Sequence, residues 1–328
     1  MTYKYERIRK TEIVHYLDIY NGDSIFSRVN NFWGSINNVP FSFSLPISPK
    51  SYLLSCNRII RRFTRLDKSN AVLNFNKDGI VVIYNYKLFF FDILLNKLTE
   101  ICTINCRNVL HNSICVTNRG IYFGSYFSNK NRDEVPIYGS SDDGRNWEVK
   151  THIPNIRHIH SISYDKFTNS LWIATGDFDG ECFLIQAEDQ DFNSLKYHGD
   201  GSQQWRCVSI FFTEDKIIWP MDSHIIDSSI KFMSRDTLIV ETGFTFPGPV
   251  WYAKQFPNGS VICQTTVEKG PAVHSSYVQL YSSTNFIDWK FILKFKKDFW
   301  PMPYFKFGVA AFSEGIQDNN LFTLHLEG

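Results

Sequence analysis

The sequence lacks an excess of charge of either sign: 34 Lys and Arg stand against 33 Asp and Glu, a net charge of +1. That balance excludes any global argument for nucleic acid or another polyanion as a partner. Methionine is scarce, at 4 residues, and no apolar run is long enough to cross a bilayer. The most apolar stretch, Leu88 to Leu95, is short and broken by Asp92. The seven cysteines (Cys56, Cys102, Cys106, Cys115, Cys182, Cys207 and Cys263) include no Cys-x-x-Cys pair and no metal-ligand spacing. Most lie in apolar runs, where a free thiol behaves as a small buried hydrophobe. An odd, scattered set predicts a reducing, cytoplasmic setting. Residues 1–10 carry charge without the apolar stretch of a secretory signal. No long segment repeats its apolar residues with the helical period.

Aromatic residues, by contrast, are abundant, with 29 Phe, 16 Tyr and 8 Trp, and Ile and Val recur throughout. Such side chains fit pleated, half-buried surfaces, so strands are expected. From about residue 70 a unit repeats: an apolar strand, a turn bearing Gly, Asn or Asp, a second strand ending in small or polar residues, then a third strand. Copies begin at Ala71, Asn112, His158, Trp205, Val250 and Phe307. Turns near Gly79, Gly120, Asn169, Asp215 and Gly259 follow one another at 41, 49, 46 and 44 residues. That period is the length of one four-stranded propeller blade. The expectation is an all-β fold, one β-propeller domain over residues 1–328, with six blades and seven as the alternative. Residues 1–60 read as irregular, and the last copy is too short. A strand near Glu12–Ile19 or Ser24–Val29 is therefore expected to complete it, closing the ring with both termini. The run Arg58-Ile59-Ile60-Arg61-Arg62, with Arg65 nearby, alternates charge and apolar character and reads as an exposed strand edge.

Ser140-Ser141-Asp142-Asp143-Gly144-Arg145-Asn146-Trp147 fits the pattern S-x-D-x-G-x-x-W. In such a turn Asp142 accepts bonds from backbone amides, Gly144 permits a positive φ, and Trp147 anchors the outer strand. Here the chain resembles the Asp-box (BNR-repeat) propellers, sialidases among them. The segment Ser282–Trp289 keeps Ser and Trp but not Asp and Gly, and Ala187–Asp191 is a vestigial third copy. Each follows the third strand of its repeat. The resemblance implies a propeller fold and a structural role for Ser140, Asp142, Gly144 and Trp147. It carries over no catalytic residue. Phe43-Ser44-Leu45-Pro46 has Ser where a sialidase carries the Arg of an F/Y-R-I/L-P segment, and no nucleophile pair can be placed. A working sialidase is not expected.

Blade geometry sorts the polar residues. The start of the innermost strand and the end of the second emerge on one face, and the Asp-box turn on the other. On the first face stand His158 and His160 with Asp177 and Asp179; Gln203, Gln204, Trp205 and Arg206 with Asp222 and His224; and Trp251 and Tyr252 with Glu268 and Lys269. Asp177, Asp222, Glu268 and His160 are the catalytic candidates, as carboxylates and a base for acid–base or nucleophilic work. His158, Gln203, Gln204, Trp205, Arg206, His224, Trp251 and Tyr252 are the ligand-binding candidates. Aromatic faces suit sugar rings, and a guanidinium suits a carboxylate. The expected partner is an acidic carbohydrate, bound or processed by glycosidase- or lyase-like chemistry at the channel mouth; a non-catalytic interaction scaffold is the alternative. No cofactor is required, although His158 and His160, side by side on a strand near Asp177 or His224, suit a divalent ion. Asp177-Phe178-Asp179-Gly180-Glu181 has only a superficial likeness to a calcium loop. His111, His198 and His274 read as ordinary surface or loop residues.

Overall fold

The structure, a computed structural model, describes residues 12–64, 68–305 and 307–327. Arg65 and residues 1–10 lie outside them. Six four-stranded antiparallel sheets follow one another along the chain, over residues 13–44, 69–103, 115–153, 159–201, 211–245 and 252–296. Together they form a six-bladed β-propeller. Each blade is an up-and-down meander whose first strand is innermost and whose fourth is outermost. The second strands Gly79–Tyr84, Ile121–Gly124 and Ser170–Thr175 are buried at every residue, because a neighbouring blade covers each sheet face. The outer strands Lys97–Thr103 and Lys290–Lys296 are largely exposed.

The core is correspondingly a set of inter-blade clusters. Val81, Ile83 and Phe90 of the second blade pack against Ile121, Phe123 and Tyr138 of the third. Trp172 and Leu184 of the fourth pack with Trp205, Ile217 and Trp219 on the fifth-blade side. Each such aromatic removes 150–250 Å² from water, by general experience, which is what clamps one sheet on the next.

The five periodic turns all lie between the first and second strands of their blades. Residues 13–44 depart from expectation, for they are not irregular. They form a complete blade, with its own first turn at Gly22 (φ 78°). Nor does either early strand complete the last copy, which remains a two-stranded sheet, Val309–Phe312 with Leu324–Glu327. That sheet packs against the sixth blade through Val309, Ala310 and Phe312. The ring then closes where the loop between its two strands runs parallel to the first strand of the first blade, bridging Tyr16 and Glu314. The Glu314 amide donates to the His15 carbonyl at 2.8 Å and the Leu17 amide to the Glu314 carbonyl at 3.0 Å.

The first blade was obscured by an insertion. Helices Pro49–Cys56 and Arg58–Thr64 lengthen the connection to the second blade. Ser48 caps the first, accepting from the Ser51 amide at 3.2 Å, with Pro49 in its first turn. Asn57 Oδ1 caps the second, accepting from the Ile59 and Ile60 amides at 3.0 and 3.2 Å. The basic run is therefore helical, not a strand edge, and Arg62 pairs with Asp298. No helix among the described residues is long and apolar enough to cross a membrane, and all seven cysteines are free thiols.

The Ser140–Trp147 turn joins the third and fourth strands of its blade, as placed from the sequence. Asp142 Oδ1 accepts from the Ser140 hydroxyl and the Asn146 amide, both at 2.8 Å, and Trp147 Nε1 donates to the Gly144 carbonyl at 2.9 Å. Gly144 has φ 101°, and a Cβ there would stand 2.6 Å from Val81 Cγ2. The degenerate copy repeats the geometry with Asn285 in place of Asp. It accepts from the Ile287 and Asp288 amides, and Trp289 Nε1 donates to the Phe286 carbonyl at 2.8 Å. In the third copy Asp189 accepts from the Asn193 amide at 3.1 Å. One contact was not foreseen: Asp143 accepts from the Phe75 and Asn76 amides, both at 2.9 Å, fastening the third blade to the second.

Candidate functional site

The site begins with two hairpin ends in the fourth blade. Ile159 pairs with Thr175 and Ser161 with Ala174, so His160 is an extra residue bulged from the inner strand. Bulges re-aim side chains in this way beside functional sites. Across the hairpin, Gly176 adopts φ 117°, and a Cβ there would stand 2.5 Å from Cys182 Sγ. That conformation, open to glycine, turns Asp177 toward the histidines.

The three side chains converge. His158 Nε2 lies 3.2 Å from Asp177 Oδ2, and His160 Nε2 lies 3.2 Å from Asp177 Oδ1. The two Nε2 atoms are themselves 3.2 Å apart. Each ring is fixed from behind: His158 Nδ1 by the Phe127 carbonyl at 3.0 Å, His160 Nδ1 by the Cys207 carbonyl at 2.9 Å. Both histidines are 2% exposed, so this is a built cluster and not a surface coincidence.

Arginines complete the surroundings of Asp177. Arg157 Nη1 reaches Oδ2 at 2.7 Å, and Arg206 Nη2 reaches Oδ1 at 3.1 Å. Arg206, delivered by the 3₁₀ turn Gln203–Trp205, continues toward the next blade, its Nε 3.5 Å from Asp222 Oδ2. Its Nη1 lies 3.3 Å from His224 Nδ1, which stands 3.7 Å from Glu268 Oε2. Trp251 Nε1 donates to Glu268 Oε1 at 3.2 Å. Acids, imidazoles and guanidinium from three successive blades thus form one continuous network. Asp222 Oδ1 and Arg206 Nε, both buried, make no hydrogen bond within it.

The carboxyls differ in proton affinity. Burial alone would raise Asp177, but the His158 and His160 side chains beside it outweigh burial and hold the carboxyl well below the usual range. Glu268 moves the other way, pushed up to about 8 by burial and by the charge of Asp222. Asp222 is raised to about 6 by burial, against the opposing charge of Arg206. Burial lowers His158 in spite of Asp177, and lowers His224 with help from Arg206. Burial would depress Arg206, but Asp222, Asp177 and Glu268 hold it above its ordinary value.

Of the sequence candidates, His158, His160, Asp177, Arg206, Asp222, His224, Trp251 and Glu268 come together. Gln203 serves from behind, its Nε2 donating to the Asp177 carbonyl at 3.0 Å and its Oε1 accepting from Ser223. Gln204 lends its carbonyl to Trp219 Nε1 at 2.9 Å. Trp205 is no sugar platform: it is stacked on Trp219 at 5.1 Å and 7% exposed. Tyr252 is likewise core, 2% exposed, packed among Leu110, Ile262 and Phe312. Large apolar rings at these strand entries gain more from inter-blade burial than from facing the channel. The acids of Asp177–Glu181 diverge, Asp179 to the Gln203 amide and Glu181 to Arg132, so no calcium loop forms. His198 is buried against Trp172 at 4.9 Å rather than on the surface.

Two residues at the site escaped sequence reasoning. Arg157 immediately precedes His158, and charge alone gave it no rank. Tyr126, its ring centroid 4.1 Å from that of His158 and tilted by 31°, follows the second strand of the third blade by two residues, as Asp177 does in the fourth. The repeat register could have found it.

No family model and no curated protein matches the chain. Solved structures do. The extracellular domain of a hybrid two-component system from B. thetaiotaomicron aligns at 10% identity and TM-score 0.54, over 91% of this chain and 34% of that one. A prolyl endopeptidase aligns at 8% identity and TM-score 0.54, over 92% of this chain and 44% of that one. A chain of a mitotic checkpoint complex aligns at 9% identity and TM-score 0.53, over 95% and 92%. The likeness is of fold alone.

Proposed function

We propose that this propeller binds an acidic carbohydrate beside Asp177 and acts on it by acid–base chemistry. One observation carries the reading: carboxyls of opposite proton affinity stand in a single network with guanidinium groups suited to a carboxylate ligand. Groups whose surroundings push their pKa values apart are the usual acid–base assignments. Glu268, raised to about 8, holds a proton at neutral pH and is the acid; Asp177 stays ionised.

The rim supplies recognition. The Arg157 side chain is 30% exposed and can turn to a ligand carboxylate. Phe178 is 49% exposed, with the Arg157 guanidinium 5.3 Å and the Arg132 guanidinium 5.7 Å from its ring, and offers a face to a sugar ring. This aromatic takes the role that Trp205 and Tyr252 do not fill.

A glycan array carrying uronic and sialic acids beside neutral sugars tests the reading. Acidic glycans are expected to bind wild type, at least tenfold more weakly Arg157→Ala and Phe178→Ala. Glu268→Gln is expected to bind but not turn over. Binding without turnover by wild type would favour the non-catalytic alternative, and no preference for acidic glycans would end the carbohydrate reading.

A further inference from the structure

We propose that His158 Nε2, His160 Nε2 and the carboxylate of Asp177 are the protein ligands of a divalent first-row transition-metal ion. This inference does not depend on the ligand of the site being a carbohydrate.

The tautomers are the first argument. A backbone carbonyl can only accept, so the ring nitrogens facing Phe127 and Cys207 must be the N–H groups. In the neutral ring each Nε2 is then a lone pair. Metal-binding histidines are held in this way, the far N–H on a carbonyl and the near nitrogen toward the ion. Here two such lone pairs face one another and a carboxylate, in a setting almost closed to water. A positive centre is needed to hold two lone pairs and a carboxylate at that spacing, and a shared proton bridges only one pair of them, whereas a metal ion takes all three groups at once. The neighbouring guanidiniums do not supply that centre. They touch Asp177, and among the described residues neither donates to a histidine Nε2.

The second argument is distance. With metal–nitrogen and metal–oxygen bonds of about 2.0–2.2 Å, adjacent ligand atoms at octahedral to tetrahedral angles stand about 2.8–3.6 Å apart. The two Nε2 atoms stand 3.2 Å apart, and each lies 3.2 Å from its own oxygen of the Asp177 carboxylate, Oδ2 for His158 and Oδ1 for His160, with a ligand atom from each of the three residues within 4.8 Å of the others. Two imidazoles and a carboxylate suit zinc, manganese, iron or cobalt and leave coordination positions open on one side. Arg157 and Arg206 fit this arrangement as partners orienting the carboxylate, since each oxygen has a second lone pair. Asp222 adds negative charge near the guanidinium of Arg206.

The test uses untagged protein stripped with EDTA, dialysed against Co²⁺ or Zn²⁺ and measured by elemental analysis. One equivalent per chain is expected, with Co²⁺ ligand-field bands of an imidazole–carboxylate site. His160→Gln and Asp177→Asn, checked for folding by circular dichroism, are expected to bind Co²⁺ at least ten- to a hundredfold more weakly. His274→Gln, which breaks the exposed pair with Asp227, is expected to bind as wild type. Less than about a tenth of an equivalent in wild type, or full binding in both cluster variants, overturns the proposal. If the variants do not fold, histidine ¹⁵N–¹H spectra of wild type decide. Co²⁺ should broaden the Nε2 signals of His158 and His160, and Nε2 atoms that stay protonated and ignore the ion overturn it. Glycan binding by the EDTA-stripped protein separates failure here from failure of the carbohydrate reading.

Discussion

His158 and His160 face each other with their Nε2 atoms 3.2 Å apart, each Nδ1 occupied by a backbone carbonyl. The carbonyls belong to segments on either side of the fourth blade: Phe127 follows the second strand of the third, and Cys207 precedes the fifth. The orientation of both rings is therefore a product of ring assembly. It makes the site sensitive to the packing of three blades at once.

Glu268 gives the pH dependence a sign. Its carboxyl sits at about 8 in the folded protein, above its ordinary value of 4.5. The folded state thus holds this proton more tightly than the unfolded one. Its contribution is complete below about pH 4.5 and is lost as pH rises through 8. In EDTA, urea midpoints of wild type are expected to fall between pH 6 and 9 more steeply than those of Glu268→Gln. The difference is worth a few kcal/mol at most, since a tenfold change in proton affinity corresponds to about 1.4 kcal/mol. Parallel profiles would count against a buried, protonated Glu268.

Arg206 neutralises two buried acids. Arg206→Met strands Asp222, and loss of one partner from a buried pair costs about 3–5 kcal/mol. The double variant Arg206→Met/Asp222→Asn is expected to recover most of that loss in urea denaturation. Equal destabilisation of the single and double variants would show that the pair is not the source.

The Ser140–Trp147 turn fastens the third blade to the second. Asp142→Ala removes acceptors for Ser140 and the Asn146 amide, and Asp143→Ala those for the Phe75 and Asn76 amides. Each is expected to cost about 1–3 kcal/mol, measured by chemical denaturation. Glycan and metal binding should be unchanged below the transition.

Trp205 belongs to the core. Trp205→Ala is expected to cost about 3–5 kcal/mol, whereas Trp205→Phe should leave ligand affinity within about twofold of wild type. A selective loss of binding in a fully folded Trp205→Phe protein would return this ring to the site.

The sequence by itself determined the repeat, and with it the all-β propeller, the turns at Gly79 through Gly259 and the face on which Asp177, Asp222 and Glu268 emerge. These depend on local chemistry: strand residues alternate, turns need Gly, Asn or Asp, and a fixed period carries the register forward. The first blade was illegible because two short helices break the period between Gly22 and Gly79. Tertiary structure alone decided that Trp205 stacks on Trp219 in the gap between sheets while Trp251 Nε1 reaches Glu268. It also decided that His160 bulges, that Gly176 aims Asp177 and that Arg157 and Tyr126 close the cluster. The orientations of His158 and His160, held by the Phe127 and Cys207 carbonyls of the neighbouring blades, follow from how blades pack against one another. Periodicity specifies that blades exist and how each is strung, but not that packing.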